Sequence, residues 1–93
     1  ESGSLRPIAR ASSAVTGISM EVLSTLPGVQ FYTGNYLDGC PAGKGGAAYA
    51  TRWGFCLETQ FYPDSPNHAN FPSCVLRAGE VFGHTAAFRF SAK

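Results

Sequence analysis

The sequence predicts an all-β chain. Apolar residues alternate with a period of two in several separate segments, and none carries a helical stripe of useful length. Eleven glycines and six prolines punctuate the runs between those segments. Such short, turn-bounded strands point to antiparallel sheets, most simply a sandwich.

The elements follow in order. Glu1-Ser2-Gly3-Ser4 has neither a basic start nor an apolar stretch, so it reads as a loop or as a cut within a longer chain rather than a signal peptide. Ile18, Met20 and Val22 alternate with Ser19 and Glu21. The turn-like stretch Ser12 to Gly17 precedes them, and Ile8 to Ala11 supplies a partner strand for a hairpin. Val29, Phe31 and Thr33 alternate with Gln30 and Tyr32. Phe55, Leu57, Thr59 and Phe61 alternate with Cys56, Glu58 and Gln60. In the last segment Phe82, His84, Ala86, Phe88 and Phe90 face one way, and Thr85, Ala87, Arg89 and Ser91 the other.

Two loops separate these runs. Asp38 to Ala48 is rich in glycine and holds one lysine, Lys44. A phosphate-binding loop needs a Ser or Thr after that lysine and a helix to open, and the sequence offers neither. Pro63 to Pro72 has three prolines in ten residues, which rules out a central strand there. Turn chemistry orders such a loop and lets it line a site.

Composition narrows the function classes. The 93 residues allow at most one small domain, which would bury roughly 65% of its unfolded surface and be marginally stable alone. With 44% hydrophobic and 14% charged residues the chain is globular rather than disordered. A net charge of +1 without a basic block gives no support to nucleic-acid or membrane-surface binding. No apolar run approaches the roughly 20 residues of a membrane span. Cys40, Cys56 and Cys74 are an odd, widely spaced set that fits no zinc pattern, so free thiols in a reducing compartment are expected.

Few polar residues interrupt the apolar strands. Glu58 sits inside Phe55-Cys56-Leu57-Glu58-Thr59, where strand interiors disfavour Glu. It reads either as a solvent-face residue or as a carboxylate held in a cleft for proton transfer. Gln60 projects from the same face, and Gln30 between Val29 and Phe31 carries the same two readings. His84, on the apolar face of the last strand, reads as a structural histidine, and His68 as an exposed loop residue.

Several motifs occur together and in one order. Gly28-Val29-Gln30-Phe31-Tyr32-Thr33-Gly34-Asn35 is followed by Gly54-Phe55-Cys56-Leu57-Glu58-Thr59-Gln60, then Pro63-Asp64-Ser65-Pro66-Asn67 and Phe71-Pro72. This series resembles the C-terminal signature of the aldose 1-epimerases, the galactose mutarotase family. The opening hairpin, Gly17 to Leu23, and the closing segment from Leu76 to Phe90 are similar to the family's as well.

The resemblance implies that residues 1–93 are the C-terminal part of a single catalytic domain, a large antiparallel β-sandwich with a sugar cleft across one sheet. It implies interconversion of the α and β anomers of aldohexoses such as galactose and glucose, with free monosaccharides as the partners and no metal or organic cofactor. The free thiols make a cytoplasmic setting the expectation. Glu58 maps to the general base and Gln30 to a sugar-binding residue. The family's acid is a histidine from an earlier part of the chain, and neither His68 nor His84 matches a catalytic position. Trp53 stands before the Glu58 motif where a smaller residue is expected, which implies altered access to the cleft. A non-catalytic carbohydrate-binding module and an inactive truncated fragment are the alternatives.

Overall fold

A computed structural model describes residues 3–93. The Glu1 and Ser2 part of the expected N-terminal loop lies outside the described residues, and Gly3-Ser4 forms a turn and bend. The chain is all-β, with five strands among the described residues: β1 Arg6–Ser12, β2 Ile18–Ser24, β3 Gly28–Tyr32, β4 Cys56–Gln60 and β5 Ala86–Ala92. They form two antiparallel sheets, one in the order β1-β2-β5 and the other β3-β4.

The β1–β2 hairpin is the one the alternation implies. The Ser13 N–H donates to the Ile18 carbonyl at 2.9 Å and the Gly17 N–H to the Ser13 carbonyl at 2.8 Å. Gly17 takes a left-handed φ of 74°, which a side chain would strain. The register slips between Pro7 and Ala9. Proline lacks the N–H that a ladder requires, so it belongs on an edge strand near such an irregularity.

On the other side of β2, Met20 faces Phe90, Val22 faces Phe88 and Glu21 faces Arg89. Directly opposed residues share a face, so one face of this sheet is apolar and the other polar. The Arg89 guanidinium donates to a Glu21 carboxylate oxygen at 2.9 Å on the polar side.

The last strand is shorter than the alternation predicts. Phe82 to Thr85 are not in a strand, and the ladder begins at the Ala86–Ser24 pair. The reason lies in the partner. Past Ser24 the β2 chain turns through Thr25-Leu26-Pro27 into β3, so there is no straight neighbour for residues 82–85. One further attachment holds the junction, with the Thr25 N–H donating to the Thr85 carbonyl and the Thr85 N–H to Thr25 Oγ1, both at 3.0 Å.

The small core sits where β2 passes into β3. Among the described residues, Val22, Leu23 and Leu26 are the buried apolar side chains, and Ser24 is buried with them. The Leu26 N–H donates to Ser24 Oγ at 2.9 Å. The Arg6 guanidinium donates to the carbonyls of Ser24 at 2.8 Å and Leu26 at 2.9 Å, tying β1 to this bend. The radius of gyration is 16.8 Å, against about 12 Å for a compact chain of this length. The two sheets are therefore spread apart rather than closed on one shared core.

Candidate functional site

The site is built on the β3–β4 pair. Its register sets Gly28 opposite Gln60, Gln30 opposite Glu58 and Tyr32 opposite Cys56. Because strand side chains alternate, these six positions share one face. Val29, Phe31, Leu57 and Thr59 occupy the other. The first face is thus a polar strip with one carboxylate and two amides.

Gln30 and Glu58 are both exposed. Among the described residues, neither the Glu58 carboxylate nor the Gln30 amide is engaged in an ion pair or a side-chain hydrogen bond. Directly opposite residues place their Cβ atoms about 5 Å apart. A carboxylate acceptor and an amide that both donates and accepts therefore stand side by side, free for a ligand rich in hydroxyls.

Two tyrosines close the strip at its ends. At one end the Tyr36 N–H donates to the Tyr32 hydroxyl at 3.1 Å. At the other, the Tyr62 ring lies over Gly28, where an added Cβ would come within 2.9 Å of Tyr62 Cδ1. The Pro63–Pro72 loop holds this ring. Tyr62 packs edge-on against Phe71 with ring centroids 5.2 Å apart, and His68 stacks on Phe71 at 4.6 Å. His68 Nε2 is 2.9 Å from Asp64 Oδ2, and the Asn67 side-chain amide donates to Asp64 Oδ1. His68 is therefore exposed, as expected, but committed to Asp64 and Phe71. Tyr62 continues the two-residue step of Cys56, Glu58 and Gln60, although it lies beyond the end of β4.

The remaining sequence candidates lie elsewhere. Trp53 lines an apolar pocket of about 520 Å³ with Phe31, Phe55 and Leu57. Phe31 and Leu57 lie on the face away from Glu58, so the pocket that Trp53 lines is not on the polar strip. His84 is not on a strand, as expected, but in the connection before β5. It lines a different pocket with Phe61 and Phe82, its ring 5.2 Å from that of Phe82. The glycine-rich loop holds a single 3-10 turn at Lys44–Gly46 and opens no α-helix. Cys40, Cys56 and Cys74 are unpaired. Among the described residues no cluster of His, Cys, Asp or Glu is arranged to hold a metal ion, and no helix is long and apolar enough to cross a membrane.

The sequence model described as aldose 1-epimerase matches residues 1–89. The chain belongs to the aldose 1-epimerase family. Its relatives include the galactose mutarotase of Homo sapiens, 54% identical over 83 residues that make up 89% of this chain and 24% of that protein. The galactose mutarotase of Bos taurus is 53% identical over the same share of each chain. The aldose 1-epimerase of Escherichia coli (strain K12) is 41% identical over 83 residues, 87% of this chain and 24% of its own length. This family member thus spans about a quarter of the length of the curated relatives it matches.

Proposed function

We propose that the polar strip is part of the sugar site of an aldose 1-epimerase, that Glu58 is its general base, and that Gln30 binds the sugar. On this reading residues 1–93 are the C-terminal portion of one catalytic domain, and the substrates are free aldohexoses such as galactose and glucose. The observation that carries the reading is the placement of Gln30 directly across the ladder from Glu58.

The chemistry follows from what a carboxylate there can do. Glu58 takes the proton from the anomeric hydroxyl of a pyranose while an acid protonates the ring oxygen. The C1–O5 bond breaks and leaves an aldehyde and a C5 hydroxyl. Rotation about C1–C2 turns the other carbonyl face toward that hydroxyl. Reclosure returns both protons and gives the opposite anomer. Coupled proton removal and donation avoids a free charged intermediate. Gln30, beside the carboxylate, orients the sugar through a neighbouring hydroxyl.

The acid comes from another part of the intact protein. His68 is committed to Asp64 and Phe71, and His84 lines a pocket with Phe61, on the other side of the β4 alternation from Glu58.

The test is polarimetry on freshly dissolved α-galactose or α-glucose with the intact protein. Glu58→Gln lowers the rate about 10²–10⁴-fold while the melting temperature holds. A near-parental rate removes Glu58 from the mechanism. A parent protein that binds the sugar without accelerating mutarotation would replace the enzyme reading with a carbohydrate-binding one.

A further inference from the structure

The Tyr62 ring lies on the face that bears Glu58 and Gln30. The ring carbons Cδ1 and Cε1 lie 2.9 and 3.0 Å from where a Gly28 Cβ would point, and Gly28 shares its face with Gln30 two residues on. Only glycine leaves that room, and the aromatic ring fills it from just past the end of β4, much as aromatic side chains shield strand glycines. The Gly28–Gln60 row is next to the Gln30–Glu58 row along the strip, about 7 Å away.

Tyr62 is an exposed residue, with 39% of its surface open to solvent. The rest is held from behind by the chain of contacts from Phe71 through His68 to Asp64. The Ser65 hydroxyl also donates to the Tyr62 carbonyl. The loop therefore fixes one aromatic side chain beside the polar groups, and a pyranose presents both polar edges and an apolar patch of C–H groups.

We propose that Tyr62 is an aromatic wall of the sugar site, packing against the C–H face of an aldopyranose whose anomeric hydroxyl meets Glu58. This rests on the reading of the strip as a sugar site. The contact is apolar and is made equally in the ground and transition states, so it acts on binding and not on the chemical step.

The experiment uses the intact enzyme with galactose as the probe. Tyr62→Ala raises KM and the directly measured Kd about tenfold, the order of loss for truncating an interface aromatic, with kcat within about threefold. Tyr62→Phe keeps the ring and stays near the parent in both. Tyr62→Trp gives a second readout that does not depend on the alanine variant folding, an emission change on adding galactose beyond that of the parent. An unchanged Kd in a normally melting Tyr62→Ala protein, or no sugar-dependent emission change from Tyr62→Trp, overturns the wall while Glu58 keeps its role. A parental turnover rate in Glu58→Gln brings down the reading of the strip, and the wall with it.

Discussion

Gln30 and Glu58 stand directly opposite one another across the β3–β4 ladder, on the face away from Phe31 and Leu57. On the proposed reading both groups meet one sugar, and the effects of substituting neighbours in contact with a shared partner are coupled. Gln30→Ala is expected to raise KM about tenfold, with a smaller loss in kcat than Glu58→Gln. Combining the two should cost less than the product of the single effects, because a sugar no longer deprotonated at its anomeric hydroxyl gains little from being oriented there. Mutarotation kinetics of the four proteins of the cycle check this. Strict multiplicativity would mean that the two residues serve different ligands or different faces.

Gly34 controls how the long connection from β3 to β4 closes on itself. It is buried with a φ of 76°, and an added Cβ would meet the Gly54 carbonyl oxygen at 2.4 Å. The Arg52 N–H donates to the Gly34 carbonyl at 2.8 Å, so both sides of the contact are backbone and cannot swing aside. Gly34→Ala is therefore expected to destabilise the intact protein by at least about 2 kcal/mol, read as a fall in melting temperature. Gly83→Ala is the control. Its Cβ meets nothing within 4 Å and its φ is not positive, so it should melt like the parent.

The strands were legible because alternation is a local signal. The alternation from Ile18 to Val22, and those around Gln30 and Glu58, each became a strand with the expected faces, and Ile8 to Ala11 lies in the strand that pairs with the first. The pairing of Gln30 with Glu58 was not legible, since register across a connection from Thr33 to Phe55 depends on how that connection folds. Phe82 to Thr85 misled for the opposite reason. Their alternation continues that of β5, but a strand needs a neighbour, and β2 bends away after Ser24. For Tyr62 the only signal was its step of two from Gln60, past the end of the strand. Its place on the strip comes from a glycine on the other strand and from a loop stacked behind it.

Cys56 offers a chemical probe of the same face. It is exposed, two residues from Glu58 and on its side of the strand. Cys40 is exposed on a distant loop, and Cys74 is half-buried. All three thiols should titrate in denatured, unreduced protein. Finding only one would mean that two are bridged. In the native intact protein, saturating galactose should slow alkylation of Cys56 several-fold and leave Cys40 unchanged, as mapped by peptide mass spectrometry. Equal protection of both, or of neither, would place the sugar away from the strip.

The last prediction concerns residues 1–93 in isolation. The accessible surface is 6991 Å², whereas a compact protein of this mass exposes about 5,200 Å². Much of the excess is apolar. Phe31, Trp53, Phe55, Val81, Phe82, Phe88 and Phe90 are all more than half exposed, beyond what a soluble monomer carries as scattered surface residues. Among the described residues, the outer edges of β1, β3, β4 and β5 are also unpaired by any other strand, and open edges seek partners. The isolated span should therefore be oligomeric or aggregated on sedimentation and should lack a sharp thermal transition. It should also leave the mutarotation rate at the buffer value, because Glu58 supplies a base and the proposed mechanism needs an acid as well. A monodisperse monomer that melts cooperatively and accelerates mutarotation would contradict both halves. It would mean that His68 or His84 moves from its present contacts to serve as that acid.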